Sequence, residues 1–226
     1  MSSAVELRVF ETADEAREAA ARELADAARA GKHIALSGGS SPGKAFARAA
    51  ELQPDWGGAE IWWGDERCVH PSDSRSNYRL ARERLLDRLS RLPRAIHRIR
   101  GELEPEEAAA LYHEELDGVL LGLAFQGIGP DGHTASLFPN DPALTEKERR
   151  AIAVHRDDVD RVTLTLPVLC AAETVLFLAL GDEKAAAVRA AFAEPPDPKT
   201  PASLVRSDGG RTVAVLDRAA AAELPS

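Results

Sequence analysis

Three stretches of this chain carry residue types that can do chemistry together. The run Gly127-Ile128-Gly129-Pro130-Asp131-Gly132-His133-Thr134-Ala135-Ser136-Leu137-Phe138-Pro139 sets a histidine among glycines directly after an apolar segment. A neutral imidazole in such a loop can take a proton from water, and Asp131 can orient the ring or stabilise its charged form. The run Ser37-Gly38-Gly39-Ser40-Ser41-Pro42 reads as an anion cradle, in which glycines allow close backbone approach and free N–H groups at a helix start favour phosphate. Its plainer reading is a tight strand-to-helix turn with no ligand. The third run, Trp62-Trp63-Gly64-Asp65-Glu66-Arg67, places two carboxylates and a guanidinium where a strand meets its loop. There Arg67 can hold an anion in a forked geometry and Asp65 can accept ligand hydroxyls, or the trio is a surface salt-bridge cluster. Ser74-Arg75-Ser76-Asn77 comes next as a helix start, with a ligand contact for Ser76 or Asn77 as a secondary role.

Several familiar patterns are only approached. Residues 38–45, GGSSPGKA, have the glycine and lysine spacing of a P-loop, but Ala45 stands where a hydroxyl should hold magnesium. Gly39, Ser41 and Gly43 match a hydrolase nucleophile elbow, yet the residue after Ser41 is Pro42, which has no N–H to give an oxyanion hole. Gly127, Gly129 and Gly132 match a dinucleotide fingerprint, but residues 133–138 leave room for only a brief helix before Pro139. His113 and Glu114 open a zinc-helix pattern in which Asp117 replaces the second histidine. The expectation is a site with neither a zinc centre nor a redox cofactor.

These loops need elements to hold them, and the chain alternates strand and helix. Val5 to Phe10 reads as a strand, followed by a helix from Ala13 to Ala30 with a Thr12/Glu15 capping box and Gly31 as its stop. His33 to Ser37 precedes a helix at Lys44 to Glu51, Glu60 to Gly64 precedes one at Asn77 to Leu89, and Val119 to Gln126 leads into the histidine loop. Val162 to Leu166 is another strand; Thr174 to Leu180 precedes a helix at Glu183 to Phe192, and Thr212 to Leu216 precedes a final alanine-rich helix. This alternation predicts an α/β fold with a mainly parallel sheet and helices on both faces, over a single domain spanning residues 1–226. The proline-rich run 194–201 reads as a loop rather than a linker.

A formal net charge of −9 disfavours nucleic acid as a partner, while leaving room for a local basic pocket. Cys68 and Cys170 are the only cysteines, too few and too far apart for a disulfide framework, so a reducing cytoplasm is expected. The amino terminus is charged from its start and lacks a secretory apolar stretch. The apolar runs are far short of the roughly 20 residues that span a bilayer, so no membrane association is expected.

ALSGGSSPGKAF at 35–46, GDERCVHPSDSRSNYRLARERLL at 64–86 and GIGPDGHTASLFP at 127–139 together resemble the 6-phosphogluconolactonase family. Further similarity lies in RVTLTLPVLCAAETVLFLALGDEK at 161–184, PAS at 201–203 and VLDRAA near the end, so the resemblance spans essentially the whole chain. It implies hydrolysis of 6-phospho-D-glucono-1,5-lactone in the oxidative pentose phosphate pathway, without cofactor, on a fold of the glucosamine-6-phosphate deaminase and ribose-5-phosphate isomerase type, here expected as a monomer. Carried onto this chain, it makes His133 the general base with Asp131 beside it. It assigns Ser37, Gly38, Gly39 and Ser40 to the phosphate loop and Arg67 to a charged contact, and it brings Arg161 and Lys184 toward the substrate. Gly122 departs from the pattern, which has aspartate there. A deaminase or isomerase acting on an amino-sugar phosphate is the nearest rival, but TASLFP after the histidine resembles the lactonase pattern rather than IAFNEP. A non-catalytic sugar-phosphate sensor would keep the cradle without a working base.

Overall fold

The computed structural model describes residues 4–225. Its main sheet has seven parallel strands in the order β1-β10-β9-β6-β2-β3-β5. These are Val5–Phe10 (β1), Arg211–Asp217 (β10), Thr174–Ala179 (β9), Leu123–Gln126 (β6), His33–Leu36 (β2), Glu60–Trp63 (β3) and Ala95–Ile96 (β5). Every residue of β9 and β6 is buried, which is why these strands read as continuous apolar runs rather than alternating ones.

Helix α1, Ala13–Arg29, starts at the expected capping box: Thr12 accepts from the Glu15 N–H, and the Glu15 carboxylate accepts from the Thr12 N–H. Gly31, at φ +69°, stops it. Helix α2 runs Ser40–Leu52, four residues earlier than the expected start at Lys44. Gly39, at φ +107°, turns the chain in one residue, and Pro42 fits the first turn because no N–H is needed there. The loop is therefore shorter than predicted, and the amino end of α2 comes directly to the sheet edge.

Two features escape the alternation. Arg161–Leu164 (β8) does not join the parallel sheet; it pairs antiparallel with Asp65–Arg67 (β4) and Ala151–Val154 (β7) in a separate three-stranded sheet. Helix α4, Pro105–Glu115, lies between β5 and β6, and its Tyr112 hydroxyl accepts the Trp63 N–H at 2.8 Å and donates to the Trp63 carbonyl at 3.1 Å. That buried clamp fixes the end of β3 where the chain turns into β4. Helix α3 is Asn77–Arg84, followed by a 3-10 turn at Leu86–Arg88 instead of one helix to Leu89. Leu166–Ala171 (α5) and Ala185–Phe192 (α6) complete the helices among the described residues.

The final alanine-rich stretch after β10 is a set of tight turns, not a helix. Asp217 takes the Ala220 N–H at 2.8 Å and the Ala221 N–H reaches the Asp217 carbonyl at 3.1 Å, but the bonds that follow, from Ala222 to Ala219 and from Leu224 to Ala221, span three residues, so the turn is not continued as an α-helix. The proline-rich run is a loop that buttresses the histidine loop: the Ala202 N–H reaches the Gly132 carbonyl at 3.0 Å and the Asn140 N–H the Pro198 carbonyl at 3.0 Å. At Gly122 the stem of Lys32 lies where a side chain would go, 2.6 Å from an ideal Cβ, with its ammonium on Glu173. An aspartate would have to displace that lysine.

Candidate active site

The carboxyl ends of β2, β3, β6 and β9 surround a cleft of about 270 Å³, the position where open parallel sheets bind ligands. The histidine loop forms one wall. The Gly129 N–H meets the His133 carbonyl at 2.8 Å, the Gly132 N–H meets the Gly129 carbonyl at 2.9 Å, and Leu137 returns to Thr134 at 3.0 Å. No helix forms in this stretch; the chain turns back on itself. Within the turn His133 Nδ1 stands 2.5 Å from Asp131 Oδ1, and the His133 side chain, one-third exposed, faces the cleft. Nε2 has no protein partner among the described residues. Burial would push the Asp131 carboxyl up, but the His133 N–H and the charge of its ring hold it below the usual range. Such a pair has the chemistry to take a proton, with Asp131 ionised beside the ring.

The glycine loop is the opposite wall. Ser37, Gly38 and Gly39 line the cleft at the amino end of α2, and the buried Ser37 hydroxyl has no protein partner among the described residues. Gly38 is required by packing, since an ideal Cβ there would lie 2.0 Å from Asn77 Oδ1. α3 therefore presses directly on the loop.

The third wall is β4. Arg67 lines the cleft, its Nη1 donating to the Arg75 carbonyl at 2.6 Å, while its buried Nε has no partner among the described residues. Arg67 and Arg161 are directly opposed across β4 and β8, a repulsive pairing unless compensated. Asp158 neutralises Arg161 through two bonds of 2.9 and 2.8 Å, and no carboxylate pairs with Arg67 among the described residues. Arg161 itself does not line the cleft; it stands behind, near the Phe138 ring. Lys184, at the end of a 3-10 turn before α6, does line it and also has no ion-pair partner among the described residues. The cleft thus presents two cations that make no ion pair among the described residues, alongside the carboxylates of Asp65 and Glu183.

Asp65 and Glu66 are not a surface cluster. Asp65 lines the cleft but is only 6% exposed, and its two oxygens already accept from Asn77 Nδ2 at 3.1 Å and Ser136 Oγ at 2.7 Å. Glu66 is buried and caps α3 from outside the helix, accepting from the backbone of Arg67, Asn77 and Tyr78 and from the Ser76 hydroxyl. Burial pushes its carboxyl up, against the pull of those donors. Sequence reasoning missed this cap and the Ser136 contact; the polar run Ser74–Asn77 was the available signal for α3, but nothing local points at Glu66. Among the described residues no three His, Cys, Asp or Glu side chains gather as a metal site, and no helix is long and apolar enough to cross a membrane.

The chain belongs to the glucosamine-6-phosphate isomerases/6-phosphogluconolactonase family, whose model matches residues 9–214. Within it, the chain is 34% identical to the 6-phosphogluconolactonase of Streptomyces coelicolor, across 100% of this chain and 97% of that protein. It is 35% identical to that of Haemophilus influenzae, across 83% and 85%. The solved 6-phosphogluconolactonase of Trypanosoma brucei superposes with a TM-score of 0.86 at 26% identity, covering 100% of both chains. A monomeric glucosamine-6-phosphate deaminase shares the fold, with a TM-score of 0.85 at 18% identity over 97% of this chain and 100% of that one.

Proposed function

We propose that this chain, acting as one domain, hydrolyses 6-phospho-D-glucono-1,5-lactone to 6-phospho-D-gluconate, with His133 as general base. The observation that carries this reading is that His133, paired with Asp131, faces the same 270 Å³ cleft as the glycine loop, Arg67 and Lys184. The amides of Gly38, Gly39 and Ser40 at the start of α2, together with the Ser37 hydroxyl and Arg67, take the phosphate. Anchored there, the lactone carbonyl meets a water held by His133 Nε2. The imidazole removes a proton as the water oxygen bonds to the carbonyl carbon. The resulting oxyanion is stabilised by nearby positive charge, and its collapse breaks the ring C–O bond, the leaving oxygen taking the proton back from the imidazolium. No step requires a metal or an organic cofactor. Arg161 would reach the phosphate only by releasing Asp158.

The direct test is lactone opening by the purified chain, with the spontaneous reaction subtracted and the pH kept mildly acidic. Ammonia release from glucosamine 6-phosphate without acceleration of lactone opening would transfer the assignment to the deaminase branch. Arg67→Ala is expected to raise KM by roughly 10- to 100-fold, the equivalent of one charge-assisted hydrogen bond to the ligand, with a smaller change in kcat. An unchanged KM would remove Arg67 from the anchor. Gly129→Ala tests the base from its backbone side. A Cβ there would lie 2.1 Å from His133 Nδ1 and 2.6 Å from Asp131 Oδ1, so the pair must separate. Turnover should fall by about 100-fold, the scale of a misplacement near 1 Å, with the fold retained in circular dichroism.

A further inference from the structure

The buried Asp65 carboxylate is held by groups from two other parts of the chain. Asn77, at the start of α3, donates Nδ2 to Oδ1 at 3.1 Å and to the Asp65 carbonyl at 2.9 Å. Ser136, three residues beyond His133, donates its hydroxyl to Oδ2 at 2.7 Å. The Ser136 N–H also reaches Thr163 Oγ1 at 3.2 Å, and Thr163 is the residue directly opposite Asp65 in the β4–β8 pairing. Ser136 therefore grips both members of one cross-strand pair, and it is itself only 1% exposed. Asp65 and Arg67, two residues apart on β4, lie on the same face of the strand.

We infer that Ser136 is a positioning residue: through Asp65 it sets the loop carrying the imidazole against the strand carrying the phosphate anchor. This rests on the lactonase reading of the site. The loop needs such a hold because Ala135, immediately before Ser136, sits in the left-handed region at φ +49°, a conformation a non-glycine residue keeps only when its surroundings impose it. With Ser136 clamped at its N–H and its hydroxyl, Ala135 and the turn from Thr134 to Leu137 cannot relax, and His133 is held at one end of that turn. Asp65 joins the same contact to Asn77, which packs on Gly38. All three walls of the cleft thus meet at one carboxylate, and the separation between base and cradle is fixed there.

The test measures kcat and KM for Ser136→Ala, Asp65→Asn and the double variant, below the melting temperature of each. Ser136→Ala should lower kcat by roughly 10- to 100-fold, the scale for a displaced catalytic group, with KM within about threefold of wild type. The double variant should lose no more than about the worse single, because both substitutions break one contact. Should Ser136→Ala not fold, Ser136→Cys, which keeps the volume and gives up most of the donor strength, carries the same expectation. A folded variant with kcat within twofold of wild type would overturn the inference, as would multiplicative losses in the double variant. A purely structural role would lower the melting temperature and leave kcat alone. Wild-type protein that fails to open the lactone would defeat the functional reading itself, whereas an active wild type with an unaltered Ser136 variant defeats only this inference.

Discussion

Replacing His133 by alanine should lower turnover by roughly 10²- to 10⁴-fold, the range for loss of a general base, while the chain stays folded and still binds inorganic phosphate. The expectation rests on placement: Nδ1 is tied to Asp131 at 2.5 Å, which leaves Nε2 to face the cleft. The anchoring and the charge around the carbonyl survive in His133→Ala. Against the push of burial, Asp131 is held below the usual carboxylate range by the His133 N–H, so it remains ionised in mild acid. Asp131→Asn removes that charge and the acceptor that orients the ring, so kcat should fall. In stability the Asp131 contribution is present above its unfolded pKa and fades as pH drops through the folded one; with the side chain half-exposed it is small. Near-wild-type turnover in His133→Ala after subtraction of the uncatalysed rate would reject the base.

The parts of this fold that the sequence discloses are those written in local pattern. The apolar runs of β2, β3, β6, β9 and β10 and the Thr12/Glu15 cap of α1 could be read residue by residue, because burial on both faces and capping leave a signature within a few positions. The small antiparallel sheet could not. Its strand Asp65–Arg67 is three charged residues, and Asp65 and Glu66 are buried only because donors from residues 76–78 and 136 come to meet them. The start of α2 was hidden for a related reason: a glycine pair and a proline look like a loop until Gly39 takes positive φ and Pro42 settles in the first turn. In the site the same division holds. His133, Asp131 and the glycine loop sit in dense motifs; the structure brings His133 and the glycine loop to one cleft, with Asp131 against the ring. Arg161, legible only as part of a longer matching stretch, is drawn behind the cleft by Asp158, an acidic residue three positions away whose pull on it depends on how the turn before β8 folds.

The same dependence on distant donors makes Glu66 the residue whose loss should most damage the fold around the site. Its carboxylate accepts from the N–H groups of Arg67, Asn77 and Tyr78 at 2.7–2.8 Å and from the Ser76 hydroxyl at 2.9 Å, and it is 2% exposed. Asn77 and Tyr78 open α3, so the carboxylate also meets the positive end of that helix. Glu66→Ala would leave buried N–H groups without acceptors and a space that water must enter. A loss on the order of 3–5 kcal/mol is expected, as for breaking other buried charged networks. For a chain of this length that corresponds to a fall of very roughly 6–20 °C in melting temperature. Glu66→Gln should recover only part of the loss, because one end of its amide is a donor facing donors. The damage should extend to function through geometry. α3 carries Asn77, and Asn77 packs on Gly38 and holds Asp65, so loosening the start of α3 releases the glycine loop proposed to take the phosphate. Well below its melting temperature, Glu66→Ala should therefore show a raised KM as well as lowered stability. Melting curves within about 1 kcal/mol of wild type would mean that water replaces the carboxylate as acceptor, and that α3 is held in place by its apolar face alone.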